Sequence, residues 1–282
     1  AEAMILPDVI SKEPLGPVTR SDDVAWFNVV KWVQFALVNA EELGIRYVSE
    51  SLGGNVEEAD VLALVGKLNA DPRISGILIL RPLPPHVSEA TVYRTLHPLK
   101  DIEALHPENA GLLALGQPRF TPSTPASAFY LLDRYVEEQG RRPSTFYNGK
   151  ELVLVGRSNN VGKPALWLGL ARNATVSSCH KFTSDAGRLL EHTRRADILV
   201  VAAGVARLVD GSMVSPGAIV VDVGINPVKD PETGKTRLVG DVDFASVAEK
   251  AEAISPVPGG VGPITAIWLL RNTTRAAGLQ RP

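Results

Sequence analysis

An apolar run, Glu151–Val155 (ELVLV), passes without a spacer into the loop Gly156-Arg157-Ser158-Asn159-Asn160-Val161-Gly162-Lys163-Pro164, and then into an Ala- and Leu-rich helical stretch. Few architectures accept this. An apolar run with no alternation reads as a strand buried on both faces, hence a parallel strand covered by helices. Glycine at 156 permits a sharp turn, and glycine at 162 lets the backbone approach a phosphate or the sheet. The N–H groups and dipole of the next helix then face an anion. Pro164 suits a first helical turn, where its missing N–H is no loss. The spacing is G-x5-G, not G-x-G-x-x-G, so by itself the loop fits a plain strand–turn–helix equally well.

The same alternation fills the rest of the chain. Gly76–Leu80 (GILIL), Asp197–Ala202 (DILVVA) and Ala218–Val223 (AIVVDV) read as further strands, and 57–69, 88–96, 125–139, 163–172 and 186–194 as helices. The class expected is α/β, with a Rossmann-type doubly wound nucleotide domain. With 282 residues and 45% apolar content, two domains are expected. A Pro-, Gly- and Thr-rich stretch, 107–124, marks the boundary, with Thr124 as cap of the following helix. This gives an N-terminal α/β domain over 1–124 and a nucleotide domain over 125–263. A closing helix begins near 264, and the segment 264–282 is expected to pack back on the first domain.

A formal charge of −2 with no charge runs argues against nucleic-acid or membrane-surface binding by bulk electrostatics. Cys179 is the single cysteine, which excludes a disulfide framework and a Cys-rich zinc site and suits a reducing compartment. The opening residues Ala1-Glu2-Ala3-Met4 lack a basic and apolar leader pattern, and Val24 to Val38 is too short and too polar to span a bilayer. The location expected is cytoplasmic.

The strand after the helix, Thr175–Ser178, ends in Cys179-His180-Lys181. An NAD site places an acid there for the ribose 2′-hydroxyl, and this chain has none. Arg157 and Lys181 offer positive charge for a 2′-phosphate instead, although either also fits an ordinary solvated cation. NADP is the cofactor expected.

The loop GRSNNVGKP, the segments VVDVGIN (220–226), GDVDF (240–244), HPLKDIE (97–103) and HPENAG (106–111), and above all PVPGGVGPIT (256–265), resemble the methylenetetrahydrofolate dehydrogenase/cyclohydrolase family from about Glu41 to Arg275. The resemblance implies a cleft between the two domains and NAD(P)-linked oxidation of 5,10-methylenetetrahydrofolate, commonly followed by hydrolysis of the methenyl product. It implies that Gly156, Arg157 and Ser158 lie at the cofactor phosphates, and that Ile225 meets the nicotinamide end. It also implies that Pro258, Gly259, Gly260, Val261 and Gly262 meet the folate, and that the protein is a homodimer.

The substrate half departs from the family pattern. Leu80 stands where the family has a Gln, and Glu103 stands where it has the second Asp of K-D-V-D-G. The family's Tyr-x-x-x-Lys pair falls on Trp32 and Ala36 without a gap, or on Phe27 and Lys31 in a shifted register. The catalytic candidates are therefore Lys31 and Glu103. Three readings follow: a dehydrogenase that has lost the hydrolytic step, an NADP enzyme redirected to another substrate, or a silent nucleotide-binding or scaffold protein.

Overall fold

A computed structural model describes residues 44–229 and 235–281. Its centre is a five-stranded parallel sheet, order β2-β1-β3-β4-β7, made of β1 (Glu151–Val155), β2 (Thr175–Cys179), β3 (Ile198–Val201), β4 (Ile219–Asp222) and β7 (Ala253–Ile254). Side chains alternate across it. Leu152, Leu154, Ile198, Val200, Ile219 and Val221 face α4 (Ser123–Glu138) and α6 (Gly162–Leu170), through Phe129, Leu132 and Leu168. Val153, Val155, Leu199, Val201 and Val220 face the other way, onto Leu189 of α8 (Leu189–Thr193) and Val247 of α9 (Phe244–Ala248). Both faces are covered, which is why these strands carry no polar alternation.

Ahead of the sheet lie α1 (Glu58–Ala70), α2 (Glu89–Thr95), α3 (Pro107–Ala114) and, after α4, the short α5 (Pro143–Phe146). Val61 and Val65 of α1 pack with Val92 and Tyr93 of α2 around Ile77 and Leu96. Lys100 is buried, and its ammonium donates to the carbonyls of Leu68, Asn69 and Asp71 at 3.0, 2.7 and 2.7 Å. One cation thus closes the C-terminal end of α1, where carbonyls lack helical partners.

Several elements differ from expectation. Among the described residues, Gly76–Leu80 forms no ladder, and pairs only through the bridge of Ile77 to Asp101. The expected boundary stretch contains α3, with Pro107 in its first turn and the ring of His106 accepting from Glu108 N–H. Helix α4 starts at Ser123 after Pro122, so Thr124 lies inside it and does not cap it. The helix expected over 186–194 is shorter, α8, because Gly187 turns the chain at φ 69° ahead of it, and a further short helix, α7 (Lys181–Asp185), precedes that turn. A hairpin of β5 (Asn226–Lys229) and β6 (Thr236–Val239) was not expected.

The last helix, α10, runs from Val261 to Leu279, so it starts earlier than the expected 264 and takes Val261 and Gly262 into its first turn. It packs along α4 and reaches the N-terminal half. The buried amide of Asn272 donates to the carbonyls of Ile102 (2.8 Å) and Thr121 (2.9 Å), and Gln280 donates to Ser75 (2.7 Å) and Leu99 (3.2 Å). No helix among the described residues is long and apolar enough to cross a membrane. Asn272→Leu strands the buried carbonyl of Ile102 and the part-buried one of Thr121, and is expected to lower stability by about 2 kcal/mol. A reduced urea midpoint at unchanged slope is the expected reading, and an unchanged midpoint would refute this role for the amide.

Candidate active site

Strand order reverses between β1 and β3, and in open α/β sheets the ligand crevice lies outside the carboxyl ends of such a pair. The loop after β1 is drawn against that crevice. Gly156 has φ 120°, and a Cβ there would run into the carbonyl of Ala202 at the end of β3. A Cβ on Gly162 would strike the carbonyl of Gly156 in turn. Both positions therefore have to be glycine, and the start of α6 sits tight on the sheet edge. Val161, the residue before α6, offers no side-chain cap. Arg157 and Ser158 are exposed beside it, and the Lys163 ammonium donates to Asn159 Oδ1 at 2.6 Å. This cradle, open to solvent and lined with glycine, fits a dinucleotide phosphate group.

At the end of β2, Lys181 opens α7 with its side chain exposed and 2.6 Å from Asp185. His180 caps that helix, its ring 3.1 Å from Thr183 Oγ1. No acid occupies the tip of β2, as Cys179-His180-Lys181 predicts.

Two buried carboxylates hold the far ends of β3 and β4. Asp222 accepts the N–H groups of Gly224, Asp241 and Val242, each at 3.0 Å. Asp241 accepts from Ala203 and Gly204 N–H and from the Asn226 amide. Burial lifts Asp222 to about 6, against the pull of its three N–H donors. Neither was singled out as a site residue, although DVG and GDVD were visible as motifs.

A cavity of about 380 Å³ opens beside this edge. Leu80, Arg81 and Glu103 line it from the N-terminal half; Asp222, Ile225 and the Pro256–Gly262 segment line it from the other. Glu103, Ile225, Pro258, Gly259, Gly260, Val261 and Gly262 are thus brought together. Gly156, Arg157, Ser158, Gly162 and Lys181 lie outside the lining, in the loop after β1, the start of α6 and the start of α7. Lys31, with Phe27, Trp32 and Ala36, lies outside the described residues. Among those described, no lysine lines the cavity.

Glu103 is the most perturbed acid of the cavity. Burial raises it to about 7, opposed by the Arg81 guanidinium and reinforced by the negative charge of Asp101. Tyr93 Oη donates to its Oε2 at 3.3 Å, and Arg81 Nη2 stands 3.5 Å from Oε1. Tyr93 is itself pushed up by burial and by Glu103. Asp101 is fully buried, with Oδ2 accepting from His106 N–H and the Asn109 amide, each at 2.8 Å, and with Oδ1 unpartnered among the described residues.

Residues 28–103 match the model of the tetrahydrofolate dehydrogenase/cyclohydrolase catalytic domain, and residues 122–281 match that of its NAD(P)-binding domain. A curated relative, bifunctional protein FolD 3 of Rubrobacter xylanophilus, is 67% identical over 238 residues, covering 84% of this chain and 75% of that protein. The bifunctional FolD structure from Campylobacter jejuni is 40% identical, with a TM-score of 0.80 over 90% of this chain and 85% of that one. The FolD of Trypanosoma brucei, solved in complex with NADP cofactor and inhibitor, is 33% identical, with a TM-score of 0.80 over 89% and 83%.

Glu103 titrates at about 7 in the folded chain against an ordinary 4.5, so between those values the folded protein keeps a proton that the unfolded chain has released. Its burial is therefore tolerated at low pH and costs stability as pH rises towards 7, by up to roughly 3 kcal/mol. Glu103→Gln is expected to gain on the parent in urea midpoint between about pH 5 and about pH 8. A pH-independent difference would show that folding leaves the titration of this carboxyl unchanged.

Proposed function

The chain belongs to the tetrahydrofolate dehydrogenase/cyclohydrolase family, and on that footing we propose that it oxidises 5,10-methylenetetrahydrofolate to the methenyl form with NADP. The observation that carries this reading is a cavity that has Glu103 on one wall and Ile225 with the 256–262 loop on the other, beside the Gly156–Gly162 cradle. Bound NADP supplies the hydride acceptor. The work left to the protein is to hold two ligands face to face and keep water out.

Each site residue then has a role. Gly156, Arg157, Ser158 and Gly162 receive the phosphates. Lys181 turns to the 2′-phosphate, because its exposed pair with Asp185 is weak and easily exchanged. The Trypanosoma relative, solved with NADP, supports that choice. Ile225, half exposed in the cavity, packs on the nicotinamide end. Glu103 accepts hydrogen bonds from the N–H groups of a pterin ring once ionised. Pro258 to Gly262 form the loop over the folate. The division into 1–124, joined by the C-terminal segment, and 125–263 belongs to this reading, as does a cytoplasmic location.

The hydrolytic step is the finer question. The Rubrobacter relative's printed name is bifunctional, which favours both steps. Leu80 favours one, since it faces the cavity and can neither give nor take a hydrogen bond. Loss of positioned acid–base help costs roughly 10²–10⁴ in rate, so hydrolysis by this chain is expected to be very slow.

One assay tests these points together. With methylenetetrahydrofolate and NADP, reduced nicotinamide should appear and methenyl product should accumulate, decaying no faster than in a blank. Lys181→Asp should weaken NADP binding about tenfold and leave NAD binding equal or better. No reduced nicotinamide would refute the dehydrogenase, and fast decay of the methenyl signal would refute the loss of hydrolysis. The proposed homodimer should scatter light as about twice the 30.2 kDa chain; a monomer mass at micromolar concentration would reject it.

A further inference from the structure

Five polar side chains form one row from the floor of the substrate half to the phosphate loop. Tyr93 donates to Glu103, and Arg81 stands on the other oxygen of Glu103 at 3.5 Å. With the Asn160 amide oxygen turned to the guanidinium, Arg81 Nη1 and Nη2 donate to it at 3.1 and 3.2 Å, and Asn160 Nδ2 donates to Ser158 Oγ at 3.1 Å. Among the described residues Arg81 Nε has no partner, and the guanidinium is held through its two Nη groups. The shorter contacts point to the cofactor side.

We propose that Arg81 is a positioning residue that joins the two halves of the cleft, holding Asn160 and Ser158 in place for the dinucleotide while keeping the Glu103 carboxylate ready for substrate. This rests on the NADP and folate reading above. A substrate whose N–H groups engage Glu103 takes over part of what Arg81 supplies there and leaves the guanidinium free for Asn160. By linkage, each ligand then tightens the other. Removing the guanidinium breaks the row at its centre, because a charged planar fork satisfies two acceptors that no apolar side chain can.

The groups facing Glu103 are Arg81, Tyr93 and Asp101, with Asp222 across the cavity. Of these, Arg81 is the cation that favours the carboxylate, so its loss moves the acid limb of substrate binding to higher pH.

The test measures NADP affinity by calorimetry, with and without tetrahydrofolate, on the full chain. Arg81→Leu should bind NADP roughly 3- to 30-fold more weakly, and tetrahydrofolate should no longer tighten it. Asn160→Ala should lose a similar factor, and the double variant should be no worse than the weaker single. Arg81→Lys, which keeps the charge but not the fork, should restore the pH profile of the substrate KM and only part of the NADP affinity. A merely structural role would not separate those two readouts. Unchanged NADP affinity in a folded Arg81→Leu, or strictly additive losses, overturns the coupling and leaves the cofactor assignment standing. No NADP binding by the unmodified chain overturns both.

Discussion

The cofactor half depends on a reciprocal fit between two buried carboxylates and two glycines. A Cβ on Gly224 would occupy the space of the Asp241 carboxylate, and a Cβ on Gly240 would occupy that of Asp222. Because both glycines stand aside, Asp222 gathers three backbone N–H groups and Asp241 gathers two with an amide. Burying two acids so close together is costly unless their oxygens are satisfied. Here they are, and the cost is turned into geometry. The ends of β3 and β4, the base of the hairpin and the segment leading to α9 are fixed to one another, and these are the edges that present Ile225 and the 203–204 turn to the cleft.

The sheet was readable because its central strands are buried on both faces and so leave unbroken apolar runs, as in 151–155, 197–202 and 218–223. The same cue overreached at 76–80, where Ile77 finds only Asp101 among the described residues. Composition hid α3, since Pro107 and its neighbours look like loop, while proline in a first helical turn is compatible with a helix. The hairpin left no signal that periodicity could catch. Its strands are four residues each and half exposed, so Pro227 and Arg237 are as much at home there as in a loop. Gly187 was in view but its turn was not, so the helix was expected to begin before the glycine and begins after it.

The site divides in the same way. Gly156 and Gly162 could be picked out because a close backbone approach leaves a residue-type signature. Glu103, Ile225 and 258–262 needed the family likeness, since an acid and a Pro–Gly loop carry no intrinsic address. Asp222 and Asp241 stood inside quoted motifs without a role, as their function is to accept N–H groups that only the folded chain brings near. Arg81 and Asn160 stand far apart in the sequence. Their pairing is a property of the closed cleft, which no local spacing encodes.

Helix α10 has a mechanical consequence. It leaves the loop over the cavity at Val261, and its 19 residues extend for roughly 28 Å. On the way Asn272 is tied to Ile102 and Thr121, and just past its end Gln280 is tied to Ser75 and Leu99. A rod anchored at these points acts as the spine of a book. The halves cannot draw apart on that side without breaking the hydrogen bonds of the Asn272 and Gln280 amides, so parting them is easier at the fore-edge, where Arg81 meets Asn160. Opening there would part the polar contacts that Arg81 makes with Asn160 and Glu103.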